Sequence, residues 1–321
     1  MNKSIFIIAV SLLFAVGTAV GRPAPDKKTR YIVLAEQARH YVAIADAATQ
    51  RIVWTWDVSK SGLPAEHRNW FNCPTEIKPV YGGLCILVVS NGGIGLIRIA
   101  DHRMIWYASG GGFPHSAEVL PDGNIAVACS TSNTPAGDKL KIYRVDYDRF
   151  PATEAVAVYP LKSGHNVVWD RKNKVLWATA YTTLNAYAYG LKEGVPALTL
   201  CESLPLPDGG ADPHDLFPAY GERKLWLTTS ERLYKFDPKR KRFDEVVVAE
   251  ELRHLKSASS GPSGYPTIVL RPTEQWWSNA LVAIDGTPVY TGPEYFKIYK
   301  GRWLLDNTFS YPKNHRLPAK R

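Results

Sequence analysis

His115-Ser-Ala-Glu-Val-Leu-Pro-Asp-Gly-Asn-Ile-Ala-Val-Ala128, His165-Asn-Val-Val-Trp-Asp-Arg-Lys-Asn-Lys-Val-Leu-Trp-Ala178 and His214-Asp-Leu-Phe-Pro-Ala-Tyr-Gly-Glu-Arg-Lys-Leu-Trp-Leu227 are three versions of one pattern. Each opens on a histidine, runs through a short apolar strand, turns at polar or glycine residues and enters a second apolar strand. The histidines stand 50 and 49 residues apart. Each unit continues into a third strand (Leu140 to Asp146, Leu184 to Tyr189, Arg232 to Asp237) and then a fourth. A four-stranded meander recurring at this period is the signature of a propeller blade.

Degenerate copies flank the three. Thr75-Glu76-Ile-Lys-Pro79 opens one, continuing through Leu84 to Val89, Gly95 to Ala100 and Met104 to Tyr107. Lys256-Ser-Ala-Ser259 opens another, continuing through Thr267 to Leu270, Ala280 to Ile284 and Pro288 to Thr291. The N-terminal region offers three strands, Tyr31 to Glu36, Tyr41 to Ala45 and Arg51 to Asp57, and the C-terminal region one orphan near Phe296 to Leu304. Three plus one completes a sixth blade and removes the free sheet edge that invites aggregation. The chain therefore reads as an all-β, six-bladed β-propeller closed by pairing a C-terminal inner strand with three N-terminal strands. No segment reads as a helical domain.

Equivalent positions of successive inner strands converge at one mouth of the central channel. The repeat thus gathers Thr75, Glu76, His115, His165, His214, Asp215 and Lys256, joined by Tyr299, Lys300 or Arg302 from the closing strand according to its register. The first reading is a site that binds or processes an anionic sugar or oligosaccharide by β-elimination or hydrolysis. His165 or His214 would be the base, His115 or Tyr299 the acid, and Lys256 and Arg302 would neutralise the carboxylate. Glu76 and the pair Trp276-Trp277 join the substrate-binding set, one indole being free to stack on a sugar ring. Two alternatives stay open. One is a non-catalytic binding or interaction propeller, which predicts a channel blocked by side chains. The other is a metal-dependent enzyme: the pattern requires no cofactor, but His115, His165 and His214 suit a divalent metal ion, with Glu76, Glu118 or Asp215 as a further ligand. The Gly92-Gly93-Ile94-Gly95 and Gly110-Gly111-Gly112 runs precede no helix and read as turns, not phosphate loops.

The segments Thr75-Glu-Ile-Lys-Pro-Val80, His115 to Asn124, Gly164-His-Asn-Val-Val-Trp-Asp170, Pro213-His-Asp-Leu216, Lys256-Ser257 and Trp276-Trp277 together resemble an uncharacterised, domain-of-unknown-function family of secreted bacterial six-bladed propellers. That resemblance spans nearly all of the mature chain and implies fold and location but no reaction. More locally, His115 to Val127 resembles the His-x-x-x-x-Leu-Pro-x-Gly-Asn strand of the aryl sulfotransferase propellers, which implies only that His115 faces the channel. Polysaccharide lyases and glycosidases built on propellers offer an analogy of fold, and fold does not determine function.

The remaining features set the surroundings. Lys3, the apolar run Ile5 to Val16 and the small residues Ala19-Val20-Gly21 form a signal peptide over residues 1–21, so the chain is expected to be secreted or periplasmic, with no membrane span after its removal. Cys73, Cys85, Cys129 and Cys201 match no zinc spacing; export permits a disulfide, but the apolar runs around Cys85 and Cys129 point to buried free thiols. The formal charge of +9 invites a nucleic-acid partner until it is placed. Lys3 carries one unit, the basic segment 22–30 three, and the basic tail 311–321 four, leaving one for the propeller of residues 31–310. Nucleic acid is therefore excluded as a partner, both termini are expected to fray, and the closed propeller is read as a monomer.

Overall fold

In the computed structural model, residues 29–317 are described; the expected signal peptide and most of the segment 22–30 lie outside them. Six four-stranded antiparallel sheets form the blades of a propeller. Five are consecutive meanders, over residues 74–109, 114–160, 166–205, 215–245 and 257–291 (blades 2 to 6). Blade 1 combines Tyr31–Glu36, Tyr41–Asp46 and Arg51–Asp57 with Ile298–Trp303 as its inner strand. That strand pairs antiparallel with Tyr31–Glu36, setting Val33 opposite Arg302 and Ala35 opposite Lys300.

Burial grades outward along each blade, as a radial sheet requires. The inner strand Pro74–Val80 is buried at every position, whereas the outer strands Ala157–Pro160 and Arg242–Glu245 keep no fully buried residue. The apolar side chains collect into six clusters, one per seam between neighbouring blades. Each seam holds a buried tryptophan: Trp56, Trp106, Trp169, Trp177, Trp226 and Trp303. Truncating one of these to alanine would leave a void costing about 3–5 kcal/mol. Cys85 and Cys129 are buried free thiols, while Cys73 is partly exposed and Cys201 exposed; all four are free.

Two segments differ from the sequence reading. Between blades 1 and 2 the chain forms short helical turns, Val58–Lys60, Ala65–Arg68 and Asn69–Phe71, which press Val58, Leu63 and Phe71 into the first seam. They are too short for helical periodicity to register. The tail from Tyr311 is not frayed as far as Leu317. Tyr311 crosses the far end of the channel, donating from its hydroxyl to Glu118 Oε1 at 2.7 Å and accepting from Val119 N at 3.3 Å. His315 stacks between Tyr81 and Tyr311, and Leu317 packs on the seam of blades 2 and 3. Two rings and an apolar side chain anchor the segment despite its charge. No helix among the described residues is long and apolar enough to cross a membrane.

Candidate functional site

Strand starts aim the site. The pairing of Pro114–Val119 with Ile125–Cys129 skips His115: Pro114 faces Cys129 and Ser116 faces Ala128. The same irregularity isolates Thr75 in blade 2. Such a bulge leaves one residue outside the ladder and turns its side chain, and Thr75 Oγ1 uses this freedom to donate to Pro114 O at 3.1 Å. His165, His214 and Lys256 immediately precede the inner strands Asn166–Asp170, Asp215–Pro218 and Ser257–Ser259.

The three histidines do meet, edge to face, with ring centroids 4.6 Å apart for His115 and His165 and 5.2 Å for His165 and His214. The Nδ1 atoms of His115 and His165 lie 3.1 and 2.9 Å from the carbonyls of Phe113 and Ser163. A carbonyl only accepts, so Nδ1 of each ring carries the proton and Nε2 holds a free lone pair. Burial pushes the pKa of all three below the ordinary value. For His115 the neighbouring His165 adds to it; His165 falls to about 4, with His214 contributing; His214 is lowered further by Lys256. The rings are therefore neutral at pH 7.

Sequence reasoning missed Asp212. It reaches the mouth from the loop before His214, in a left-handed backbone conformation (φ 55°). Its carboxylate lies 3.2 Å from His214 Nε2 and 3.7 Å from His165 Nε2. The hydrogen bond with His214, aided by the charges around it, holds Asp212 well below the usual carboxylate range. The signal was Asp212-Pro213-His214: an acid two residues before the inner-strand histidine, the position that Phe113, Ser163 and His254 hold in the neighbouring blades, all four in a left-handed conformation. His165, Asp212 and His214 offer ligand atoms within 4.8 Å of one another, so the candidate donor set is two imidazoles and a carboxylate, with His115 alongside.

Lys256 completes the mouth. Its Nζ lies 2.6 Å from His214 Nε2, and burial lowers its pKa to about 8. His214 Nε2 thus faces both a carboxylate and an ammonium and serves one of them at a time, donating to Asp212 when protonated and accepting from Lys256 when bare. His214 Nδ1 is buried without a partner among the described residues.

Directly beneath, four charges fill the channel. Arg302 donates through Nη2 to both oxygens of Glu76 (2.8 and 3.0 Å) and to Asp215 Oδ1 (2.6 Å), and through Nη1 to Asp215 Oδ2 (2.8 Å). Lys300 donates to Glu76, Asp215 and Asn166 at 3.1, 3.2 and 3.2 Å. All four are buried to within 1 % of full, and Arg302 also packs over the Phe217 ring. The structure therefore corrects the substrate-binding roles expected of Glu76 and Arg302: each has its hydrogen-bonding groups engaged inside the protein. Glu118, considered as a metal ligand, is engaged at the far end by Tyr311 and by Lys78 at 2.9 Å. Tyr299 is buried in the seam of blades 1 and 2, and no hydrogen bond joins it to the histidines among the described residues. Trp277 is covered, with Lys297 Nζ 4.3 Å above its ring; Trp276 is half exposed and donates from Nε1 to Gln37 Oε1 at 3.0 Å.

Fold and mouth together define a six-bladed β-propeller with a histidine-rich, plugged channel. The chain belongs to a family of unknown function, DUF6528, matched over residues 21–319. No curated protein matches it. Among solved structures it is similar to a protein of unknown function from Bacteroides caccae (14 % identity, TM-score 0.58, covering 86 % of this chain and 98 % of that one). It is also similar to a candidate 6-phosphogluconolactonase from Bacteroides uniformis (12 %, 0.55, 82 % and 81 %) and to the hydrazine synthase of Kuenenia stuttgartiensis (13 %, 0.53, 84 % and 80 %). At such identities the likeness concerns the fold alone.

Proposed function

We propose that the channel mouth is a divalent-metal centre, held by His165, His214 and Asp212, at which an exported enzyme binds and processes an anionic sugar or oligosaccharide. One observation carries this reading: the mouth has more lone pairs than protons to fill them. Two buried imidazoles present bare Nε2 atoms, a third is shared between Asp212 and Lys256, and an ionised carboxylate stands among them. A cation satisfies such a set, and donation from Nδ1–H of His165 to a backbone carbonyl is the arrangement that orients a ligating imidazole. The expected anion cradle of Lys256 with Arg302 is replaced, because Arg302 is neutralised within the plug.

When bound, the ion supplies Lewis acidity and positive charge beside a substrate carboxylate. Lys256 holds the same anionic group from the other side. In an elimination His115, neutral and with Nε2 free, takes the proton alpha to that carboxylate as the bond from the beta carbon to the glycosidic oxygen breaks, and returns it to the departing oxygen. In a hydrolysis it takes a proton from the water that attacks the anomeric carbon and passes it to the leaving glycosidic oxygen. A second reading, binding without turnover, is favoured by the side chains that block the channel below the mouth.

The test is metal content by mass spectrometry after loading with Mn2+ or Zn2+ and desalting. We expect near-stoichiometric metal in the native chain and little in His165→Ala or Asp212→Asn; a native chain that retains none overturns the reading. Turnover of acidic oligosaccharides by the loaded protein separates the two readings. Export is tested by N-terminal sequencing of the mature chain, expected to begin near Arg22.

A further inference from the structure

The opposite end of the channel carries a cleft with a different chemistry. It encloses about 460 Å³ between blades 3 and 4 and the C-terminal segment, within the roughly 300–1,000 Å³ typical of small-molecule sites. Tyr189, partly exposed, supplies an aromatic wall, with the rim of the buried Trp169 set edge to face against it at 6.3 Å. Arg171 and Lys174, on the turn between the first two strands of blade 4, stand at its edge. Both are exposed, and neither makes a hydrogen bond or ion pair among the described residues. The acids near it are already engaged: Asp122 accepts from Tyr189 Oη at 2.6 Å and Asn124 Nδ2 at 2.8 Å, and Asp170 pairs with Arg223.

Two lining residues also leave buried polar atoms unpartnered. Ser310 Oγ, on a residue 1 % exposed, and His315 Nδ1 have no hydrogen-bond partner among the described residues. Buried polar atoms without partners are uncommon and call for an explanation such as a ligand that completes them. An aromatic wall, a hydroxyl and an imidazole awaiting partners, and two unpaired cations specify complementary groups: a ring face, hydroxyls and an anionic substituent.

We infer that this cleft is a second binding site, remote from the mouth, for a carboxylated mono- or disaccharide. The ring lies against Tyr189 and the rim of Trp169, its hydroxyls meet Ser310 and His315, and its carboxylate pairs with Arg171 and Lys174. The inference does not depend on metal or chemistry at the mouth.

Calorimetric titration of the intact metal-free protein with digalacturonate, and with neutral lactose as a control, tests it. Saturable binding of digalacturonate but not lactose is expected. The exposed double variant Arg171→Gln/Lys174→Gln should weaken binding about tenfold or more, since it removes charge-assisted hydrogen bonds, and Ser310→Ala by less. His165→Ala, at the other end, should leave it unchanged and so separates this site from the mouth. Absence of saturable binding, equal binding of lactose, or unchanged affinity in the double variant would each overturn the inference.

Discussion

The plug and the mouth are adjacent layers of one channel, built from adjacent residues of the same inner strands, yet their polar chemistry is opposite. In the plug, Glu76, Asp215, Lys300 and Arg302 hold two negative and two positive charges, and Arg302 meets each carboxylate through two donors, Nε (3.1 Å) and Nη2 for Glu76, Nη1 and Nη2 for Asp215. One residue earlier along the strands, His165 and His214 present nitrogen atoms that are bare, shared or unpartnered. A buried ionic network that is complete holds the blades together at the axis; an incomplete one is ready for a ligand. Saturation, rather than residue type or conservation of pattern, distinguishes the structural layer from the functional one.

The largest effect should come from emptying one position of the plug. Arg302→Met leaves Glu76 and Asp215 buried with only Lys300 between them, and removing one partner of a buried ionic set costs about 3–5 kcal/mol. Denaturant unfolding measures it. A loss below about 1 kcal/mol would mean that the plug is not the structural layer. The far end offers a smaller version: Tyr311→Phe removes the donor to Glu118 Oε1 and the acceptor for Val119 N, and should cost about 1–3 kcal/mol, the penalty of leaving a buried polar group unmet. An unchanged midpoint would show that the C-terminal segment merely rests on the channel.

Acid should open the plug from within. Burial alone would raise the pKa of Glu76, but Arg302, followed by Lys300 and Lys78, lowers it below the ordinary 4.5; Arg302 and Lys300 likewise lower Asp215 to about 2. Both groups have folded pKa values below their unfolded ones, so the unfolded chain binds protons more readily. Their contribution to stability is complete above about pH 4.5 and is lost as pH falls from there toward 2. Melting temperatures from pH 5 down to pH 2.5 should therefore drop steeply, and the drop should be shallower in Glu76→Gln. Parallel curves for the two proteins would contradict the assignment of Glu76 as an ionised plug residue.

The repeat made the architecture readable, because apolar alternation and turn residues are local signals and the blade period repeats them. The histidines at the starts of three inner strands were readable for the same reason, as was the closing strand, since an orphan strand at one terminus and three at the other admit few pairings. The roles of Arg302 and Glu76 were not: type and position place both at the axis, but only coordinates show that they neutralise each other 226 residues apart in sequence. Asp212 escaped because the position two residues before His115, His165, His214 and Lys256 repeats in backbone conformation but not in residue type, being Phe113, Ser163, Asp212 and His254 in successive blades. Tyr311 escaped because its segment is basic and Pro-containing, which reads as solvated chain, whereas the stack is anchored by Tyr81 against His315, 234 residues apart in sequence.

The smallest change in stability, and the sharpest separation of the two layers, is expected from His214→Leu. Its ring is mostly buried, its Nδ1 has no partner and its Nε2 is shared by Asp212 and Lys256. A leucine of similar bulk removes the unmet nitrogen and leaves Lys256 free to turn to Asp212, which already raises its pKa against the effect of burial. Residues kept for function are commonly less stable than an apolar replacement, by about 0.5–2 kcal/mol. The metal-free variant should therefore unfold at the same or slightly higher denaturant concentration than the native chain, while losing the bound metal. Destabilisation as large as that of Arg302→Met would place His214 in the structural layer and erase the distinction between plug and mouth; unchanged stability with metal binding abolished would draw the boundary between residues 214 and 215.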